Sequence, residues 1–193
     1  AVLETLKEAS DAMGENLSAL IHEGPKEALA LTTNTQPVML VAAIAAYRAW
    51  LAEGGVQPAA VAGHSLGEFS ALTAAGALGF EDGLRLVSLR ASAMQKACEE
   101  QVSTMAAVLG LDDDKVGALC DEVSQTGQIV VAANFNCPGQ VVISGLPTAV
   151  ELAGNKALKA GALKVVPLAV GGAFHSPLMQ SAASALQGAL DAT

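Results

Sequence analysis

The chain has 193 residues, of which 52% are hydrophobic, 15% charged and 3% aromatic. That balance excludes a disordered chain, which couples low hydrophobicity to high charge, and the length suits one domain or a domain carrying a small insertion. Ten Lys and Arg against nineteen Asp and Glu leave a net charge of −9, a poor basis for binding nucleic acid, which runs on phosphate neutralisation.

Residues 1–23 carry a helical pattern (Leu3, Leu6, Leu17, Leu20, Ile21) interrupted at Gly14 and stopped by Gly24-Pro25. An apolar segment runs from Thr35-Gln36-Pro37 to Trp50 and ends at Gly54-Gly55. Pro37 is expected in its first turn, where a missing N–H costs nothing. Its longest apolar stretch, 38–46, is too short to span a bilayer, so no membrane role is expected. Ala59–Ala62 is expected as a short buried strand leading into Gly63, followed by a helix from Leu66 to about Gly76 and another from Asp82 to about Cys98.

From Met105 the rhythm changes. Met105–Leu109, Gln128–Phe135, Gln140–Ser144 and Ala162–Pro167 read as strands, and Asp112–Val123 and Pro147–Ala160 as helices. That βαββαβ order is the arrangement of a ferredoxin-like subdomain. The expected fold class is therefore α/β, with a core over residues 1–102 and 168–193 and a ferredoxin-like small subdomain over 103–167. Cys98, Cys120 and Cys137 are odd in number and form no CxxC pair. They read as free thiols in a reducing compartment, with the cytoplasm as the expected location and no metal site.

Gly63-His64-Ser65-Leu66-Gly67 is a G-x-S-x-G sequence between an expected strand and an expected helix. Such a turn presents a Ser hydroxyl at a helix N-terminus, where free N–H groups can stabilise an oxyanion. The alternative is a structural turn in which Ser65 caps the helix. A Ser nucleophile needs a base, and the chain has three histidines. His22 reads as a helix-terminus residue. His64 adjoins the Ser, where side chains on a sharp turn diverge, and is expected to pack or to support the site from behind. His175, between Gly171-Gly172 and the helix-start signal Ser176-Pro177, is either the base or a structural histidine. Arg90 sits at the margin of a stripe formed by Leu84, Val87, Ala91 and Met94. A guanidinium there needs an anion: an internal Asp or Glu, or a substrate carboxylate.

These positions carry a family resemblance. Gly63-His64-Ser65-Leu66-Gly67-Glu68, Thr35-Gln36-Pro37, Leu89-Arg90 with Met94-Gln95, Asn134-Phe135-Asn136 with Pro138 to Gly145, and Ala173-Phe174-His175-Ser176-Pro177-Leu178-Met179 resemble, in order, motifs of the malonyl-CoA:acyl carrier protein transacylases. The resemblance implies an α/β-hydrolase-like acyltransferase core, incomplete here, and a ping-pong transfer of malonyl from malonyl-CoA to the phosphopantetheine thiol of acyl carrier protein. It implies Ser65 as nucleophile, His175 as base, a Leu66 N–H in the oxyanion hole and Arg90 on the malonyl carboxylate, with no cofactor. Phe174 resembles the residue of malonyl-selective rather than methylmalonyl-selective members. The family's Gly-Gln-Gly-Ser-Gln loop and its segments beyond the His have no counterpart, so a central fragment of low activity is expected. The rival readings are a serine hydrolase of the esterase kind, which has no use for Arg90, and a non-catalytic carrier-docking fragment.

Overall fold

In the computed structural model, which describes residues 1–193, the chain opens with helix α1 (Val2–Met13), which ends where Gly14 adopts a left-handed conformation. Helix α2 (Leu17–Glu23) starts on the Asn16 side chain, which accepts the Ala19 N–H at 3.0 Å. A four-residue helix α3 (Lys26–Leu29) follows; its single turn is too short to leave a periodic signal in the sequence. Helix α4 spans Thr32–Ala52, so Pro37 lies inside it rather than in its first turn. Side chains extend that helix backward: Asn34 Nδ2 donates to the Ala28 carbonyl at 3.0 Å and Thr35 Oγ1 to the Leu31 carbonyl at 3.0 Å. Helices α5 (Gly67–Ala74) and α6 (Phe80–Glu100) complete this part of the chain.

The expected strand at Ala59–Ala62 does not form, and the segment is exposed rather than buried. A strand needs a neighbour to take its backbone bonds, and the only sheet of the chain is built from later residues.

That sheet is antiparallel and four-stranded. Its elements run β1 (Thr104–Leu109), α7 (Asp113–Ser124), β2 (Val130–Cys137), β3 (Gln140–Gly145), α8 (Pro147–Lys159) and β4 (Lys164–Pro167), with strands in the order β2-β3-β1-β4. The sequence expectations for all six elements hold to within two residues at each end. Strand alternation divides the side chains between two faces. Ala106, Val108, Val141 and Ile143 pack under Val116, Cys120 and Val123 of α7 and Val150, Ala153 and Ala157 of α8. Met105, Ala107 and Val142 point the other way and are covered by Val166, Leu168 and Phe174. The segment after β4 leads through His175 to a 3-10 turn (Pro177–Met179) and helix α9 (Gln180–Leu190).

The chain divides into two compact units, residues 1–92 with 185–193, and residues 93–184. The first is helical, with a core of Leu6 and Ala9 from α1, Leu40, Val41 and Ile44 from α4, Phe69 from α5, and Leu84 and Val87 from α6. The stripe on α6 is as the spacing predicts: Leu84, Val87 and Ala91 are fully buried. The second unit holds the sheet and the His175 segment. No helix is long and apolar enough to cross a membrane.

Candidate active site

Ser65 is one of two non-glycine residues with positive φ, at 55°. The left-handed region costs an L-residue about 1–2 kcal/mol, so the turn must be imposed by its surroundings. Part of that constraint is Gly63. A methyl group there would lie 1.9 Å from the Gly67 carbonyl carbon and oxygen and 2.3 Å from the Glu68 nitrogen, far inside contact distance. Gly67, by contrast, has open space around its Cα, so only the first glycine of the motif is required sterically. The turn closes through Gly67 N–H to the His64 carbonyl at 2.9 Å and Glu68 N–H to the Ser65 carbonyl at 3.2 Å. The Leu66 N–H donates to no group of the chain; it lies at the N-terminus of α5, where the helix dipole favours negative charge.

The guanidinium of Arg90 reaches this turn. Its Nη2 donates to Ser65 Oγ at 3.0 Å, and its Nη1 donates to Gln36 Oε1. The Arg90 Cζ also stands 6.0 Å from the centroid of the Phe69 ring, at the outer reach of a cation–π contact. No carboxylate lies within ion-pair distance of Arg90. Burial pushes its pKa below the ordinary value, and the nearby Glu68 carboxylate opposes that shift. A guanidinium does not lose its charge within the accessible pH range. The internal salt bridge is therefore not what occupies Arg90; a half-buried cation instead faces a serine hydroxyl.

Gln36 enters the sequence reading only within the Thr35-Gln36-Pro37 motif, with no role of its own. The available signal was a polar side chain at the head of an apolar segment; it is 7% exposed. Phe69, in the buried face of α5, carries no signal that separates it from an ordinary core residue.

The other histidines differ from one another. His22 sits in the last turn of α2, its Nδ1 2.8 Å from the Ser18 carbonyl oxygen, as the sequence predicts. His64 does not pack in the interior. It is exposed and lines a groove of about 380 Å³ with Met39, Tyr47, Val61 and Ser70 among others.

His175 belongs to the second unit and is exposed. It is the other non-glycine residue with positive φ, at 57°. Its segment is fastened on both sides. Ser176 Oγ donates to the Ala173 carbonyl at 2.7 Å and accepts the Leu178 N–H at 3.2 Å, capping the 3-10 turn. The Ala173 N–H donates to Ser103 Oγ at 2.9 Å, and Ser144 Oγ donates to the Phe174 carbonyl at 2.7 Å. The two strained non-glycine positions of the chain are thus the Ser and the His that the motifs single out. Such strain collects at functional positions, where the surrounding structure over-determines it.

The model of the acyl transferase domain family matches residues 1–193. The malonyl CoA-acyl carrier protein transacylase of Escherichia coli is 49% identical over 185 residues, covering 96% of this chain and 60% of the relative. That of Bacillus subtilis is 46% identical over 185 residues, covering 96% and 58%. Among solved structures, the acyl-carrier-protein S-malonyltransferase of Burkholderia pseudomallei superposes with a TM-score of 0.93 at 53% identity, covering 98% of this chain and 62% of that one. A malonyl-transacylase in complex with a type II PKS acyl-carrier protein superposes with a TM-score of 0.95 at 46% identity, covering 99% and 62%. The chain spans about 60% of the length of the curated relatives it matches. With a match over its whole length and identities near one half over nearly all of it, the chain belongs to the acyl transferase domain family.

Proposed function

We propose that the protein carrying this chain transfers malonyl from malonyl-CoA to the phosphopantetheine thiol of an acyl carrier protein, through a malonyl ester on Ser65, in fatty acid or polyketide synthesis. The observation that carries this reading is the half-buried Arg90 guanidinium, bonded to Ser65 Oγ at 3.0 Å and without a carboxylate partner. A hydrolase has no use for such a cation beside its nucleophile. A malonyl group brings the carboxylate that it lacks, and a guanidinium binds a carboxylate with two parallel, charge-assisted hydrogen bonds. The names of the relatives support the same substrates.

In this reading His175 takes the Ser65 hydroxyl proton as Oγ bonds to the thioester carbonyl carbon. The Leu66 N–H donates to the oxyanion that develops. The carbon–sulfur bond breaks, and CoA leaves as its sulfur takes the proton from His175. In the second half the carrier thiol gives its proton to His175, its sulfur bonds to the ester carbonyl, and Ser65 Oγ leaves with that proton. Gln36 and Phe69 hold the guanidinium so that a malonyl group arrives with its thioester at Ser65.

The fold is read as an α/β-hydrolase-like acyltransferase core with a ferredoxin-like subdomain over 103–167; the strand order β2-β3-β1-β4 supports the second part. The thiols Cys98, Cys120 and Cys137 are free, which suits the cytoplasm. The test is to incubate the natural full-length protein with malonyl-CoA and holo-acyl carrier protein and to follow each product. Malonyl-carrier and free CoA in equal amounts are expected. Free malonate as the main product would mean a hydrolase instead.

A further inference from the structure

Strand β3 alternates between the two faces of the sheet, and its outward residues Val142 and Ser144 pair across from Ala107 and Met105 of β1. That face is apolar, covered by Val166, Leu168 and Phe174, yet Ser144 is fully buried in it. A buried hydroxyl without a partner is costly, so its bond must matter locally. Ser144 Oγ donates to the carbonyl of Phe174 at 2.7 Å, the peptide unit that joins Phe174 to His175. Ser103, 9% exposed, accepts the N–H of Ala173 at 2.9 Å. Just before them in the chain, Gly172 lies so close to helix α6 that a methyl group there would meet Cys98 Sγ at 2.3 Å. The two residues before His175 are thereby hydrogen-bonded to Ser103, just before β1, and to Ser144 of β3, and Gly172 is packed against α6, while His175 itself is exposed and held at φ 57°.

The geometry points to Ser144 and Ser103 as positioning residues for His175, acting through the backbone rather than on the ring. A left-handed residue has one adjacent peptide plane on each side to set its direction. Ser144 fixes the plane on the N-terminal side, and Ser103 fixes the residue before it. Loss of either bond frees that plane to rotate, and an imidazole misplaced by about 1 Å loses on the order of 100-fold in rate. Neither serine touches substrate. The inference rests on the reading of His175 as the base.

The experiment is a double-mutant cycle on the natural full-length protein, reading single-turnover acylation of Ser65 by malonyl-CoA. Ser144→Ala is expected to slow acylation by about 10- to 100-fold with little change in KM for malonyl-CoA, and with the lowered Tm of one lost buried hydrogen bond. In a His175→Ala background the same substitution is expected to have no further effect, because the residue through which it acts is gone. Ser103→Ala follows the same pattern and serves where Ser144→Ala folds poorly. Equal slowing by Ser144→Ala in both backgrounds, or no slowing in either, overturns the positioning role while leaving His175 as base. Normal acylation by His175→Ala alone overturns the base reading, and the positioning role with it.

Discussion

A guanidinium bonded to Gln36 and to Ser65 is, in the proposed reading, a receptor for the malonyl carboxylate. Truncating one partner of such a charged pair costs about 2–5 kcal/mol. Arg90→Ala should therefore lower kcat/KM for malonyl-CoA by about 30- to 4,000-fold while leaving acetyl-CoA unchanged or improved, since acetyl brings no charge. Arg90→Lys keeps the charge but not the planar fork and should fall between. A parallel loss for both substrates would mean that Arg90 serves the fold. Gln36→Leu keeps the cation but frees its orientation, a loss of about one hydrogen bond; the expected result is a malonyl-CoA KM raised by about tenfold, checked against an unchanged acetyl-CoA KM. Arg90 was legible in the sequence because a cation at the edge of an apolar stripe demands an anion. The structure pairs Arg90 with no internal carboxylate; the external one is the proposal. Gln36 was not legible as its partner, because the pairing joins residues on two helices, α4 and α6.

The element that holds Ser65 is a turn whose strain is sustained by close approach. Gly63→Ala drives a methyl group into the Gly67 carbonyl at 1.9 Å. The expected outcome is loss of Ser65 acylation and about 1–3 kcal/mol of stability, measured by intact mass and by denaturant titration; Gly67→Ala, which meets no atom, should be milder in both. In α7, burial pushes the Cys120 thiol up to about 12. Alkylation needs the thiolate, so at pH 8 iodoacetamide should modify exposed Cys137 and spare Cys120, as read by peptide mapping. The stability linked to the protonated Cys120 thiol is complete below the ordinary thiol value and is lost as pH rises toward 12. Elements with a continuous apolar run after a Pro-Gly turn, such as β3, or with a strong cap, such as α7, were legible, since their pattern and their ends are local. Ala59–Ala62 was not, because a short apolar run before a Gly reads as a strand, while nothing local shows that no neighbouring strand is there to pair with it.

At the scale of the whole chain, apolar composition outruns what is buried. Met39, Trp50, Val61 and Leu72 of the first unit are exposed, with Val61 and Leu72 beside the unpaired segment. Exposed apolar surface and unpaired backbone favour association. Residues 1–193 expressed alone should self-associate and bind a hydrophobic dye, followed by light scattering on a sizing column; a monodisperse monomer that binds no dye would contradict this. The proposed malonyl transfer rests on Arg90 beside Ser65, with the strained backbone of Ser65 and His175 in support. It is tested most directly by the intact mass of the natural full-length protein after brief exposure to malonyl-CoA. One added malonyl mass is expected on the wild type, none on Ser65→Ala, and much slower addition on His175→Ala. A malonyl adduct that persists on Ser65→Ala, or a wild type that never gains one, would contradict it.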